Sequence, residues 1–97
     1  SWTEVEEMIQ ALGVDHLIHQ KAQYLSFGER QRFAIIRALI QPYDWILLDE
    51  PFSHLDKDNA HKAAELIQKQ NEKRSAGMLV AGLNEDDYFP YHETVNL

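Results

Sequence analysis

Two short stretches of this chain carry residue types that handle phosphate. In Ser26-Phe27-Gly28-Glu29, a hydroxyl and a carboxylate stand three residues apart, the spacing of a capping box that opens a helix. A helix start presents unpaired N–H groups and about half a positive charge, which suits an anion such as a phosphate. Ser26 can donate its hydroxyl there, and Gly28 permits close backbone approach. The same residues also describe an ordinary cap, in which the Ser26 hydroxyl accepts from a backbone N–H near Glu29.

The second stretch is the apolar run Trp45-Ile46-Leu47-Leu48, closed by Asp49-Glu50-Pro51. A continuous apolar run of this length reads as a strand buried on both faces of a parallel sheet. Ligands of such sheets sit beyond the carboxyl ends of the strands. Asp49 would lie at that end, where one carboxylate can hold Mg²⁺ directly or through water while phosphate oxygens complete the shell. Side chains alternate along a strand, so Glu50 is expected to face away from its neighbour, toward an attacking water. That division of roles is the chemistry of metal-assisted phosphoryl transfer. The plainer alternative is a strand that ends in polar residues.

The elements that must position these residues follow from periodicity. Thr3-Glu4-Val5-Glu6 has capping-box spacing, and Val5, Met8, Ile9 and Leu12 then recur at helical period up to Gly13. A short helix around Asp15–His19 and a loop precede the second capping box. The helix opened at Ser26 runs to about Ile40, with Phe33, Ile36 and Ile40 as its apolar stripe and Arg30, Gln31 and Arg37 partly off it. Pro42 breaks it. A loop from Pro51 to Asp58 leads into a helix from about Asn59 to Ser75, with Ala60, Ala63, Ala64 and Ile67 inward and Gly77 as its stop. Met78–Ala81 reads as a second buried strand, Glu85-Asp86-Asp87 as an acidic turn, and Glu93–Leu97 as a final strand. Strand, crossover helix, strand is a βαβ unit, so the class is α/β with a helical N-terminal piece.

Composition narrows the function. The chain has 97 residues, a net charge of −7 and no cysteine, which argues against a nucleic-acid binder and against a thiolate metal site. No apolar run approaches the roughly 18 residues of a membrane span, so the expected location is the cytosol. His16 and His19 are three apart with no third ligand nearby in sequence and read as surface residues. Trp45 and Phe52 are expected to pack rather than to stack on a base.

Read together, Leu25-Ser26-Phe27-Gly28-Glu29, Trp45–Asp49 with Glu50, and Ser53-His54-Leu55-Asp56 resemble the signature motif, the Walker B strand with its catalytic glutamate, and the D-loop of the ATP-binding cassette (ABC) nucleotide-binding domain. The resemblance covers residues 3–97 and implies a partial P-loop NTPase fold, with 1–41 as the helical part and 42–97 as the βαβ part. It implies that Ser26, Gly28 and Glu29 bind the nucleotide, and that Asp49 organises Mg²⁺. It further implies that Glu50 polarises the lytic water and that Asp56 couples two facing sites. The implied cofactors are ATP and Mg²⁺. The implied partners are a second nucleotide-binding domain, packed head to tail, and a membrane-spanning transporter subunit, with no nucleic acid. The location is then cytoplasmic, peripheral to the membrane through that subunit.

Two departures accompany the resemblance. The sequence holds no G-x-x-x-x-G-K-[ST] phosphate loop, so the chain is expected to be a fragment that hydrolyses no ATP alone. Leu83 falls where the family places a switch histidine, with Asn84 beside it. Leucine can neither donate to a phosphate nor relay a proton, so slow hydrolysis or a degenerate site is expected. Two other classes compete with a transporter subunit: a cassette ATPase acting in DNA repair or translation, and a non-catalytic fragment that self-associates through an open sheet.

Overall fold

A computed structural model describes residues 2–82, 88, 89, 94 and 95; the expectations for Leu83, Asn84 and the 85–87 turn lie outside these. The described residues form three helices, α1 (Trp2–Ala11), α2 (Phe27–Leu39) and α3 (Lys57–Arg74), and three strands, β1 (Trp45–Asp49), β2 (Gly77–Ala81) and β3 (Thr94–Val95). The strands run in the order β1-β2-β3, all parallel, with Trp45 opposite Gly77 and Asp49 opposite Ala81. α3 is the crossover between β1 and β2. The chain is thus an α/β unit of the P-loop NTPase kind, built on a parallel βαβ core.

Local chemistry explains most element ends. α1 already includes Thr3, so no capping box forms there. It stops at Gly13, whose φ of +69° is left-handed. The Gly13 N–H donates to Gln10 O at 3.0 Å and the Val14 N–H to Ile9 O at 3.1 Å, the paired bonds of a Schellman turn, and Ile9 and Val14 are both buried. A single 3-10 turn, Asp15–Leu17, stands where the short helix around Asp15–His19 was expected, and a second, Ala22–Tyr24, lies in the expected loop. α3 starts two residues earlier than periodicity suggested, because Asp56 caps it. It ends on Ser75 in the left-handed region, not at Gly77. Gly77 is instead the first residue of β2. A Cβ there would come within 2.6 Å of the Trp45 ring, so the glycine makes room for the indole.

One core joins the helices to one face of the sheet. Ile46, Leu48, Met78 and Val80 point into it, against Met8, Ile9 and Leu12 from the first helix region, Ile35, Ile36 and Leu39 from α2, and Ala60, Ala63, Ala64 and Ile67 from α3. The buried stripe of α2 is therefore Ile35, Ile36 and Leu39. Ile40, expected on that stripe, is the C-cap and exposed. Arg74 reaches across from α3 to the open carbonyls at the end of α2, donating to Leu39 O and to Gln41 O. Phe52 packs as expected, 5.0 Å from the Tyr88 ring.

The opposite face of the sheet contradicts the expectation of burial on both sides. β1 alternates exposed and buried, leaving Trp45 72%, Leu47 66% and Leu79 41% exposed. All the described helices pack on the other side, so an apolar run composed for a two-sided sheet is here covered on one.

Candidate functional site

The head of α2 forms as its sequence dictates. Ser26 adopts an extended conformation, its Oγ accepts from the Glu29 N–H at 3.1 Å, and the Ser26 N–H donates to Glu29 Oε1 at 2.9 Å. That hydrogen bond to the charged form holds the Glu29 carboxyl below the usual carboxylate range. Ser26 is exposed. Because its oxygen is used as an acceptor, the hydroxyl proton remains available for donation outward. Capping and ligand contact, set out above as alternatives, are chemically compatible at once.

Gly28 is also required by the chain's own packing. A Cβ at this position would sit 2.7 Å from the His54 carbonyl oxygen. One close approach that this glycine permits is therefore to the loop after β1. Phe27, at the first position of the helix, stacks on His54 with ring centroids 5.3 Å apart.

Asp49 is the last residue of β1 and is exposed. It lines a cleft of about 190 Å³ along the edge of the strand, with Gln31, Ala34 and Ala38 of α2 on one side and Leu47 and Pro51 on the other. Glu50 is also exposed but does not continue the strand. Its φ is +44°, the left-handed region that a residue with a side chain seldom enters. Strand alternation thus does not set its direction; the turn does. Three bonds hold that turn: the Glu50 N–H donates to Ala81 O at 2.6 Å, Gln31 Nε2 donates to Glu50 O at 2.8 Å, and the Ser53 N–H donates to the same oxygen at 3.3 Å. Backbone bent in this way at an exposed carboxylate is a feature of functional sites.

Asp56 ends the same loop as the N-cap of α3, accepting from the Asn59 N–H at 2.8 Å and from Asn59 Nδ2 at 3.3 Å. The fold thus gathers Glu50, Ser53 and His54 around the side chain of Gln31. Ser26 stands at the head of the same helix, roughly 7–8 Å from Gln31 along the axis. Gln31 carries the connection and was read from sequence only as a residue off the apolar stripe. Its one legible sign is its place three residues after Gly28, on the same helix face.

Among the described residues no cluster of three or more His, Asp or Glu gathers to enclose a metal. The paired donors at the end of β1 instead match what Mg²⁺ takes from a protein when phosphate and water supply the remaining ligands. His16 and His19 are exposed, as expected.

The parallel βαβ core, with Asp49 and Glu50 exposed at and just after the end of β1 and Ser26 exposed at the head of α2, is consistent with a partial P-loop NTPase fold. The family model described as "ABC transporter" matches residues 1–53. The chain belongs to the ABC transporter family, as an ATP-binding cassette nucleotide-binding domain. It is 48% identical over 59 residues to the molybdate/tungstate import ATP-binding protein WtpC of Pyrococcus horikoshii, covering 61% of this chain and 17% of the relative. It is 38% identical over 77 residues to the lipoprotein-releasing system ATP-binding protein LolD of Hydrogenovibrio crunogenus, covering 79% of this chain and 34% of that one. The phosphonates import ATP-binding protein PhnC of Fusobacterium nucleatum is 39% identical over 72 residues, covering 74% and 29%. The chain therefore spans between 17% and 34% of the length of these relatives. A solved structure of the complex of archaeal ribosomal stalk protein aP1 and archaeal ribosome recycling factor aABCE1 contains a similar chain. The TM-score is 0.74 at 34% identity, over 79% of this chain and 15% of that one.

Proposed function

We propose that this chain is the C-terminal part of a nucleotide-binding domain, and that within a longer protein it helps bind and hydrolyse ATP to drive a transporter. The observation that supports this best is the presence of exposed Asp49 and Glu50 in succession at the end of a parallel strand, with α2 tied to the Glu50 backbone through Gln31. The import and release systems named for its relatives favour transport over other uses of the same fold. ATP and Mg²⁺ would be the cofactors.

In this reading Asp49 holds the Mg²⁺ shell, directly or through water. Glu50 accepts a hydrogen bond from the attacking water and takes its proton. Ser26 donates its free hydroxyl proton to the phosphate of a nucleotide held by a second, head-to-tail nucleotide-binding domain, with Gly28 bringing the helix head close. Glu29 acts by fixing Ser26, since its carboxylate is bonded to the Ser26 N–H and would repel a phosphate. Asp56 sets the start of α3 and the end of the loop that would face the partner site. The chain alone, without a phosphate loop, would turn over no ATP, and 1–41 and 42–97 would be the helical and βαβ parts of one domain. No helix among the described residues is long and apolar enough to cross a membrane. The subunit would reach the membrane from the cytoplasmic side through a membrane-spanning partner, with no role for nucleic acid.

Glu50→Gln in the full-length protein tests this. The side chain keeps its size and loses its basicity, so kcat should fall by about 10²- to 10⁴-fold with ATP still bound. Unchanged turnover would remove Glu50 from the reaction. The likeness to a chain from the ribosome recycling factor complex supports a second reading, a cassette that works in translation. Stimulation of the full-length ATPase by ribosomes, and not by a membrane subunit, would select it.

A further inference from the structure

We propose that Gln31 is a positioning residue that fixes Glu50 from the signature helix, so that the helix head bearing Ser26 and the turn bearing Glu50 move as one body. This rests on the reading above and adds to it a specific device within the chain. A single carboxamide uses both of its ends. Nε2 donates to Glu50 O at 2.8 Å and lies 3.5 Å from Ser53 Oγ, while Oε1 accepts from the His54 N–H at 2.9 Å. The first bond falls on a residue whose φ is +44°, a conformation that persists only where neighbours impose it. The other described backbone bonds of Glu50 come from elsewhere: its N–H donates to Ala81 O of the neighbouring strand, and within the turn the Ser53 N–H donates to Glu50 O at 3.3 Å. Gln31 is thus the only described contact through which α2 grips the Glu50 backbone by a hydrogen bond.

The helix is also seated too closely to slide. One turn before Gln31, Gly28 lies so near His54 O that even a methyl group would not fit, and the Phe27 ring stacks on the His54 ring. Three residues of one helix face, Phe27, Gly28 and Gln31, therefore engage the 50–54 turn. A shift of α2 that preserves these contacts must carry Glu50 with it. In a head-to-tail pair Ser26 addresses one nucleotide and Glu50 the other. The carboxamide of Gln31 would then transmit the seating of one nucleotide to the catalytic carboxylate of the opposite site.

The test uses two variants of the full-length protein, because they divide the two ends of the carboxamide. Gln31→Glu keeps an oxygen that accepts from the His54 N–H but cannot donate to Glu50 O. Gln31→Met keeps the volume and loses both bonds. Both should lower kcat at least about 10-fold with KM for ATP changed less than about 3-fold, the signature of misplacing a reacting group rather than losing substrate. Hydrogen exchange at the His54 amide should quicken in Gln31→Met and stay slow in Gln31→Glu. Circular dichroism establishes that each variant is folded; if Gln31→Met is not, Gln31→Glu decides. A folded variant with kcat within about 3-fold of the parent, or a rise in KM at constant kcat, overturns the proposal. Should Glu50→Gln itself leave turnover intact, the reading of the site fails first. Should Glu50→Gln abolish turnover while Gln31→Glu does not, only the positioning role fails.

Discussion

The two sides of β1 are built on opposite plans. At its carboxyl end, the strand meets α2 along a polar seam held by hydrogen bonds: Gln31 with Glu50 and His54, Ser26 with Glu29, Asp56 with Asn59. On the sheet face away from the helices, Trp45, Leu47 and Leu79 stand largely exposed. The seam is complete within this chain. The face is not, and an apolar surface of that kind on a parallel sheet ordinarily receives another layer. The difference teaches that the relative placement of helix head and strand-end turn is set by contacts among the described residues, whereas those residues bury only one face of the sheet.

The substitution that should strike the seam hardest is Gly28→Ala. The added methyl would lie 2.7 Å from His54 O, a backbone atom that cannot swing aside as a side-chain tip would. The helix must lift from the turn, and overpacking of this kind costs about 1–3 kcal/mol. Urea unfolding of the chain should show the loss as a lowered midpoint at unchanged slope. Exchange at the His54 amide should accelerate with it, since Gln31 is carried on the same helix. A midpoint within experimental scatter of the parent would mean that the seam yields, and that its tight seating constrains nothing.

How much of this was legible depended on how local each cause is. The α2 start could be read because a capping box is written in four consecutive residues, Ser26 to Glu29. The α3 start was missed by two residues because Asp56 and Asn59 form a cap without the glutamate that makes a box recognisable. The left-handed turn at Glu50 could not be read at all. Besides the local bond from the Ser53 N–H, its partners are Ala81 O and Gln31 Nε2, distant in sequence, and glutamate carries no sign of positive φ. Gly28 illustrates a correct residue with an incomplete reason: a glycine announces a close approach without saying to what. The bare sheet face was hidden for the converse reason. Trp45 to Leu48 spells burial on both sides whether or not the covering layer belongs to the same stretch of chain.

A smaller effect sharpens the seam from the side of charge. The Ser26 N–H lowers the Glu29 pKa, so this interaction stabilises the fold above the ordinary carboxylate value and fades as pH falls through the lowered one. Glu29→Gln retains a carbonyl oxygen for the same N–H but does not titrate. The stability difference between parent and variant should therefore be constant from about pH 8 to 6 and shrink on acidification below about pH 4.5. Urea midpoints at neutral and acid pH measure it. A difference that holds constant into acid would show that the Glu29 charge contributes nothing to the cap.

The face offers the contrasting experiment, and the smallest expected change in stability. Leu47 is 66% exposed and lies in a strand, so Leu47→Thr removes apolar surface while introducing a β-branched residue that suits strand geometry. Stability of the chain should move by less than about 0.5 kcal/mol, the usual range for a surface site without special contacts. Association should respond instead. Three exposed apolar side chains on one flat face favour pairing of two copies when this polypeptide is studied alone, and in a two-fold pair each substitution acts twice. Sedimentation of the parent should show concentration-dependent self-association that Leu47→Thr weakens. A parent that stays monomeric at high concentration would count against pairing. A large loss of stability in the variant would mean that Leu47 already serves this chain's own core, and the contrast between seam and face would lose its basis.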